Sequence, residues 1–162
     1  MKNIVKYVGK EEYQRVKKFF EAMDSDYYPA LSEREDGLEN HLEKSFSKNG
    51  KMVVFERNGK LIGAFGFCFE NSAVNCEIIG VETRYRRSPV AYRMIEYAVE
   101  QEQHASINKI VARTWSTNQD MISLLEALGF EKVKEIEGDM VPKRTSCIYE
   151  ADPQDIMDFF GR

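Results

Sequence analysis

The stretch best equipped for chemistry reads Arg84-Tyr85-Arg86-Arg87-Ser88-Pro89-Val90-Ala91, between a strand-like run ending at Val81 and a run of helical periodicity. A chain entering a helix leaves its first N–H groups without intrahelical acceptors, and the helix dipole adds partial positive charge there. Such a terminus receives anions, pyrophosphate in particular. Three arginines fall within four residues here, and Arg93 follows. In a chain with 23 Lys plus Arg against 27 Asp plus Glu, net −4, that cluster is out of character. The same residues also fit a solvated basic loop, with Ser88 as the helix cap and Pro89 at the first helical position.

A second stretch, Asn118-Gln119-Asp120-Met121-Ile122-Ser123-Leu124-Leu125-Glu126-Ala127-Leu128-Gly129-Phe130, has a cap residue at one end and a glycine stop at the other. Asn118 and residue 125 are two turns apart and share a face. Taken by itself, it is equally an amphipathic helix with an Asn cap. Glu77 lies four residues before Val81 and shares its strand face through Ile79. A carboxylate there can take a proton from an incoming ammonium, and it can as well be a solvent-side glutamate. His41 and His104 sit among polar residues and read as surface histidines. Cys68, Cys76 and Cys147 are odd in number and irregularly spaced, which fits neither a disulfide framework nor a zinc site. They read as reduced thiols of a cytoplasmic protein, and no metal is expected.

The elements that must position these residues follow from periodicity. Ile4–Val8 reads as a strand, and Tyr13, Val16, Phe19, Phe20 and Met23 fall at helical spacing. Asp24 to Pro29 breaks the pattern. A weaker helix begins at Ser32, carries Leu38, Leu42 and Phe46, and ends at Asn49-Gly50. Met52–Phe55 and Leu61–Phe67 pair across Asn58-Gly59, a strong hairpin signal, and Asn71-Ser72 turns into a third strand from Ala73 to Val81. A helix opening at Ser88 and Pro89 follows, then a strand at Lys109–Trp115 and the helix Asn118–Leu128 closed by Gly129. Strands at Glu131–Ile136 and Thr145–Tyr149 flank a Gly138/Pro142 loop, and Asp155–Phe160 makes a short terminal helix. The expectation is an α/β fold: a mixed, mostly antiparallel sheet of about seven strands flanked by about four helices.

A chain of 162 residues at 43% hydrophobic and 31% charged fits one domain spanning 1–162. Its net charge disfavours nucleic acid as a partner. No apolar run approaches the ~20 residues of a membrane span, so no membrane partner is expected either.

Val81 through Ala91 resembles the acyl-CoA loop of the GNAT superfamily of N-acetyltransferases, Val-x-x-x-x-Arg/Gln-x-x-Gly-x-Gly/Ala, at Val81, Arg86 and Ala91. The later family pattern, Asn-x-x-Ala-x-x-Leu-Tyr-x-x-x-Gly-Phe, is met at Asn118, Leu124, Gly129 and Phe130. The order of elements from Lys2 to Glu150 also follows the family. The resemblance implies transfer of an acetyl group from acetyl-CoA to a primary amine by direct attack. It implies pantetheine in a gap between the strand ending near Val81 and the strand Lys109–Trp115. Ile79, Gly80 and Val81 would then line the thioester, a main-chain N–H polarising its carbonyl. Arg86, Arg87, Ser88, Val90, Ala91 and Tyr92 would hold the coenzyme's phosphates, and Asn118 would contribute from the second motif. Arg84, Arg87 or Arg93 would meet the 3′-phosphate. The acceptor would be a small-molecule or peptide amine. The acidic residues from Asp24 through Glu33, Glu35, Asp36, Glu39 and Glu43 lie where the family builds its acceptor wall, and they fit a solvated helix face equally well. Edge-strand pairing, common in the family, makes a homodimer the expected assembly.

Two departures stand out. Pro89 replaces a family glycine and removes one N–H donor. Leu125 replaces the tyrosine that often protonates the leaving thiolate. A thiol of pKa about 8.5 leaving at pH 7 is uphill by roughly 2 kcal/mol. A positioned acid supplies about 10²–10⁴-fold, so its absence slows transfer without forbidding it. These departures keep two alternatives open: a GNAT-fold acyl-CoA-binding or regulatory module with weak or lost catalysis, and transfer of a longer acyl group. With Glu77 as base, Glu77→Gln lowers kcat/KM and flattens the basic-side rise of a pH–rate profile. An unchanged profile would remove Glu77 from the mechanism.

Overall fold

The computed structural model describes residues 2–23, 37–138 and 145–162. Within them run seven strands, β1 (Asn3–Val8), β2 (Gly50–Arg57), β3 (Lys60–Glu70), β4 (Ala73–Val81), β5 (Lys109–Trp115), β6 (Glu131–Glu137) and β7 (Thr145–Ala151). Five α-helices accompany them: α1 (Tyr13–Glu21), α2 (Leu38–Ser45), α3 (Val90–Gln101), α4 (Gln119–Ala127) and α5 (Pro153–Phe159). That is one helix more than the expected four, because α5 forms in full, capped by Asp152 accepting from Gln154 N. The strands hydrogen-bond in the order β1-β2-β3-β4-β5-β7-β6, with β4 parallel to β5 and the pairs β1–β2, β2–β3, β5–β7 and β6–β7 antiparallel. The expected mixed, mostly antiparallel α/β sheet is therefore present. The Asp24–Pro29 break, the helix start at Ser32, the acidic residues Glu33, Glu35 and Asp36, and Pro142 lie outside the described residues.

Contacts gather the chain into two units, one formed by Met1–Cys68 with Glu77–Glu102, the other by Phe69–Cys76 with Gln103–Arg162. The first unit turns tightly between β2 and β3, where Asn58 and Gly59 both take positive φ, 52° and 83°. Asn-Gly is favoured there because such a turn needs left-handed backbone at both central positions. The core of this unit joins Val16, Phe20 and Met23 with Leu38, Leu42 and Phe46 against Met52, Val54, Ala64 and Ile78. Helix α3 packs elsewhere, laying Val90 and Met94 on Gly63 of β3.

Two glycines of β3 set how closely these helices approach. A methyl group on Gly63 would stand 2.9 Å from Val90 Cγ1 and 3.0 Å from Met94 Cε. A methyl group on Gly66 would run into Ser45, with Cβ–Cβ at 2.7 Å. Ser45 itself is buried, and its hydroxyl donates to the His41 carbonyl at 2.8 Å, closing the last turn of α2 over that gap.

The expected helix stop at Asn49-Gly50 is corrected: α2 ends at Ser45, and Gly50 already belongs to β2. Its glycine serves packing, since a side chain there would meet the carbonyl oxygen of Ser45 at 2.5 Å.

In the second unit, Asn118 caps α4 through Oδ1 accepting from Met121 N at 3.2 Å, and Gly129 ends it at φ +100°. Leu125, Leu128, Phe130, Cys147, Tyr149 and Ile156 are buried. Strand β6 is almost wholly exposed, and its Lys132–Glu135 pair at 2.6 Å keeps it charged. None of the three cysteines is in a disulfide.

Gly66→Ala is expected to overpack the α2 seat and cost about 1–3 kcal/mol. Calorimetry should then show a melting point lower by roughly 2–12 °C. An unchanged melting point would mean that α2 does not depend on this contact.

Candidate functional site: a pinned turn and a buried carboxylate

The turn from β4 to α3 is tied down at both ends. Glu82 N donates to Ile62 O at 2.9 Å, which anchors the strand exit on β3. A single 3₁₀ turn follows at Thr83–Tyr85. Arg86 Nε then reaches back to Val81 O at 3.0 Å, and its Nη2 lies 3.9 Å from Met23 Sδ. The Arg86 side chain thus shapes the turn by binding the strand end. Ser88 N donates to Tyr85 O at 3.1 Å, and the Ser88 hydroxyl donates to the same carbonyl. This corrects the expected cap. Ser88 looks back into the turn, and Pro89 occupies the cap position at φ −77°. That angle is close to the one the pyrrolidine ring imposes, so proline fits without strain.

Arg93 N makes the first i→i−4 bond of α3, to Pro89 O at 2.9 Å. Val90, Ala91 and Tyr92 are therefore the first-turn N–H groups, where a helix carries its partial positive charge. Arg84 is occupied by Glu82, at 2.9 Å through Nε and 2.8 Å through Nη2. Arg87 is exposed. Arg93 lines a recess of about 130 Å³ together with Arg57, Tyr85, Ser88 and Pro89, and the Arg57 guanidinium stands 5.4 Å from the Tyr85 ring centre. First-turn amides of this kind are donors suited to an anion, and a proline at the cap adds no N–H to them.

Glu77 is the other half of the site. Its side chain is 9% exposed. Oε1 meets His41 Nδ1 at 3.1 Å, and Oε2 accepts from Cys68 Sγ at 3.5 Å. Burial alone would push its carboxyl up. The hydrogen bond from His41, the positive charge of Lys44 and the Cys68 thiol outweigh burial and hold it below the ordinary carboxylate range. His41 is therefore not the surface histidine expected from its polar neighbours: its side chain is only 15% exposed and faces β4. The signal that could have exposed it was the helical spacing of His41 with Leu38, Leu42 and Ser45, which puts it beside the buried face.

Ile79, Gly80 and Val81 complete β4 next to Glu77, with Gly80 and Val81 buried. Of the acidic residues proposed for an acceptor wall, Glu39 is engaged by Lys17 Nζ at 2.9 Å, which ties α2 to α1. In the second unit Asn118 spends Oδ1 on its own helix, and Leu125 is buried at 4% exposure, leaving an aliphatic group where the family places tyrosine. Among the described residues, no helix is long and apolar enough to cross a membrane, and no group of three or more His, Cys, Asp or Glu is placed to hold a metal ion.

The model of the acetyltransferase (GNAT) family matches residues 16–130, well over half the chain. This protein belongs to the GNAT family of acetyltransferases. Solved structures of GNAT proteins share its fold at low sequence identity. An N-acetyltransferase from Staphylococcus aureus Mu50 is 14% identical with a TM-score of 0.77, covering 94% of this chain and 99% of that one. The ribosomal-protein-S18-alanine N-acetyltransferase of Escherichia coli is 12% identical at a TM-score of 0.74, covering 93% and 94%. A candidate acetyltransferase from Salmonella typhimurium, solved with its cofactor acetyl-CoA, is 13% identical at 0.74, also covering 93% and 94%. No curated protein matches the sequence.

Because the folded Glu77 carboxyl titrates below its unfolded value, its contribution to stability is present above about pH 4.3 and is lost as pH falls through the folded value. Glu77→Gln should therefore be less stable than wild type at pH 7, by about 1–2 kcal/mol. The gap should close toward pH 3 in urea titrations. A gap independent of pH would show that Glu77 is not held as a carboxylate.

Proposed function

We propose that this protein transfers the acetyl group of acetyl-CoA to a primary amine of a small molecule or peptide in the cytoplasm. The observation that carries the reading is the pinned turn. Val81 O holds Arg86, Pro89 caps α3 without strain, and the amides of Val90, Ala91 and Tyr92 follow at the end of β4. Acetyl-CoA supplies a thioester whose carbonyl carbon accepts the amine. The first-turn amides hold its diphosphate, helped by the helix dipole, and Arg87 and Arg93 offer charge to its remaining phosphate. The Ile79–Val81 main chain lines the thioester and orients its carbonyl. An acceptor ammonium must lose a proton before it attacks, and the carboxylate at Glu77 belongs to that proton's route.

A second reading is favoured by one feature, the buried Leu125. With no hydroxyl at that position, the protein would bind acetyl-CoA without rapid turnover. The three thiols, none of them in a disulfide, fit a reducing compartment.

Melting the protein with acetyl-CoA at a hundred times its Kd should show about 2.7 kcal/mol of stabilisation. That corresponds to a rise of roughly 5–11 °C. No rise would overturn both readings. A rise with thiol release across a panel of polyamine, aminoglycoside and lysine-peptide acceptors supports the enzyme. A rise without release from any of them supports the binding module.

A further inference from the structure

The recess beside the turn is built on an irregularity of the sheet. Phe55 pairs with Gly63 and Glu56 with Leu61, so Ile62 is an extra residue of β3 between two pairs. An extra residue of this kind bends its strand and re-aims its side chain. Ile62 is buried, and it lines the recess with Phe55, Pro89 and Val90, all residues of the first unit. Val90 reaches this position because Gly63 beneath it has no side chain. A cavity of about 150 Å³ accepts a benzene-sized body. At about 130 Å³, the recess suits a compact apolar group.

Its charged lining is cationic. Arg57 and Arg93 stand on it, and the Arg57 guanidinium lies 5.4 Å from the centre of the Tyr85 ring, which lines it too. Among the described residues, no carboxylate lines it. The acidic groups on the neighbouring elements are already paired. Glu82 is held by Arg84 at 2.8 Å and by Lys60 at 3.6 Å, and Glu56 by Arg15 and Lys6. A bare phosphate would match the guanidiniums but would shed water against apolar residues for no return. A carboxylate on a small hydrocarbon body satisfies both parts. The guanidinium fork takes its two oxygens, and the hydrocarbon leaves water for the apolar lining.

We propose that this recess binds a small organic carboxylate, its hydrocarbon body against Phe55, Ile62 and Val90 and its charge between Arg57 and Arg93. This is a ligand site beyond the proposed acetyl transfer, and occupying it needs no coenzyme. It shares Val90 and Arg93 with the proposed coenzyme grip, Val90 through its side chain here and its amide there. Arg57, Phe55 and Ile62 belong to the recess alone.

Benzoate is the probe, titrated into the full chain without coenzyme and followed by backbone-amide NMR. Saturable shifts are expected at Arg57, Ile62, Tyr85 and Ser88. Benzamide, of the same shape without the charge, should bind at least about tenfold more weakly, as should inorganic phosphate. Arg57→Gln and Arg93→Gln should each weaken benzoate by about 10–100-fold while melting near wild type without ligand. Arg93 is exposed, so Arg93→Gln decides the matter if Arg57→Gln proves unstable. Saturating CoA should change benzoate affinity by less than about fivefold. Shifts that scatter or never saturate overturn the inference, as do equal binding of benzamide, tighter binding of phosphate, or displacement of benzoate by CoA. A chain that binds benzoate in this way but gains no stability from acetyl-CoA keeps this inference and loses the proposed function.

Discussion

The site depends on the tie between the end of β4 and the start of α3. Four hydrogen bonds and one missing side chain produce it. Glu82 N is held by Ile62 O, Arg86 Nε by Val81 O, and Ser88 by Tyr85 O, while Gly63 lets Val90 and Met94 settle directly on β3. An anion site made of backbone amides has no side chain to adjust after the ligand arrives. Its strength comes from donors already aligned, since ordering them on binding would cost about 1–2 kcal/mol per residue. The turn proposed as that site is already tied down by its own hydrogen bonds.

The same logic reconciles this chain's departures from the family pattern. Glycine at position 89 would offer an N–H and close approach. Proline offers neither, but it sets the cap angle in advance and so lowers the entropy cost of forming the turn. The path of the chain into α3 is left intact. Leu125 is a different case. Its side chain is buried, as are those of Leu128 and Phe130, and it brings no proton donor. Loss of an acid for a thiol leaving group is tolerable near neutral pH, whereas loss of a base for an ammonium is not.

Much of the fold was legible because local signals and tertiary structure agree. Asn58-Gly59 reads as a hairpin, and both residues take the left-handed backbone that such a turn requires. Asn118 and Gly129 bracket α4 as its cap and stop, and β5 runs from Lys109 to Trp115 as its apolar pattern indicates. The misreadings arose where a residue answers to something distant. Gly50 looked like a helix stop, but its lack of a Cβ serves the carbonyls at the end of α2. Ser88 has the composition of a cap, yet its hydroxyl bonds backward to Tyr85, leaving the cap to proline. His41 is the clearest case. Its sequence neighbours are polar, and its partner lies 36 residues away on another strand. Helical spacing with Leu38, Leu42 and Ser45 could have shown that it is covered, but not that its partner is Glu77. The clustered arginines of the turn were legible, but not which of them are already engaged. Arg84 is held by Glu82 and Arg86 by the strand end.

The account stands or falls on where the coenzyme's diphosphate goes. A crystal of the protein soaked with CoA answers this directly. The diphosphate should lie within hydrogen-bonding distance of the Val90, Ala91 and Tyr92 amides, with Arg86 still bound to Val81 O. A diphosphate held elsewhere, or a turn left empty with the Pro89 ring across its mouth, would contradict the account.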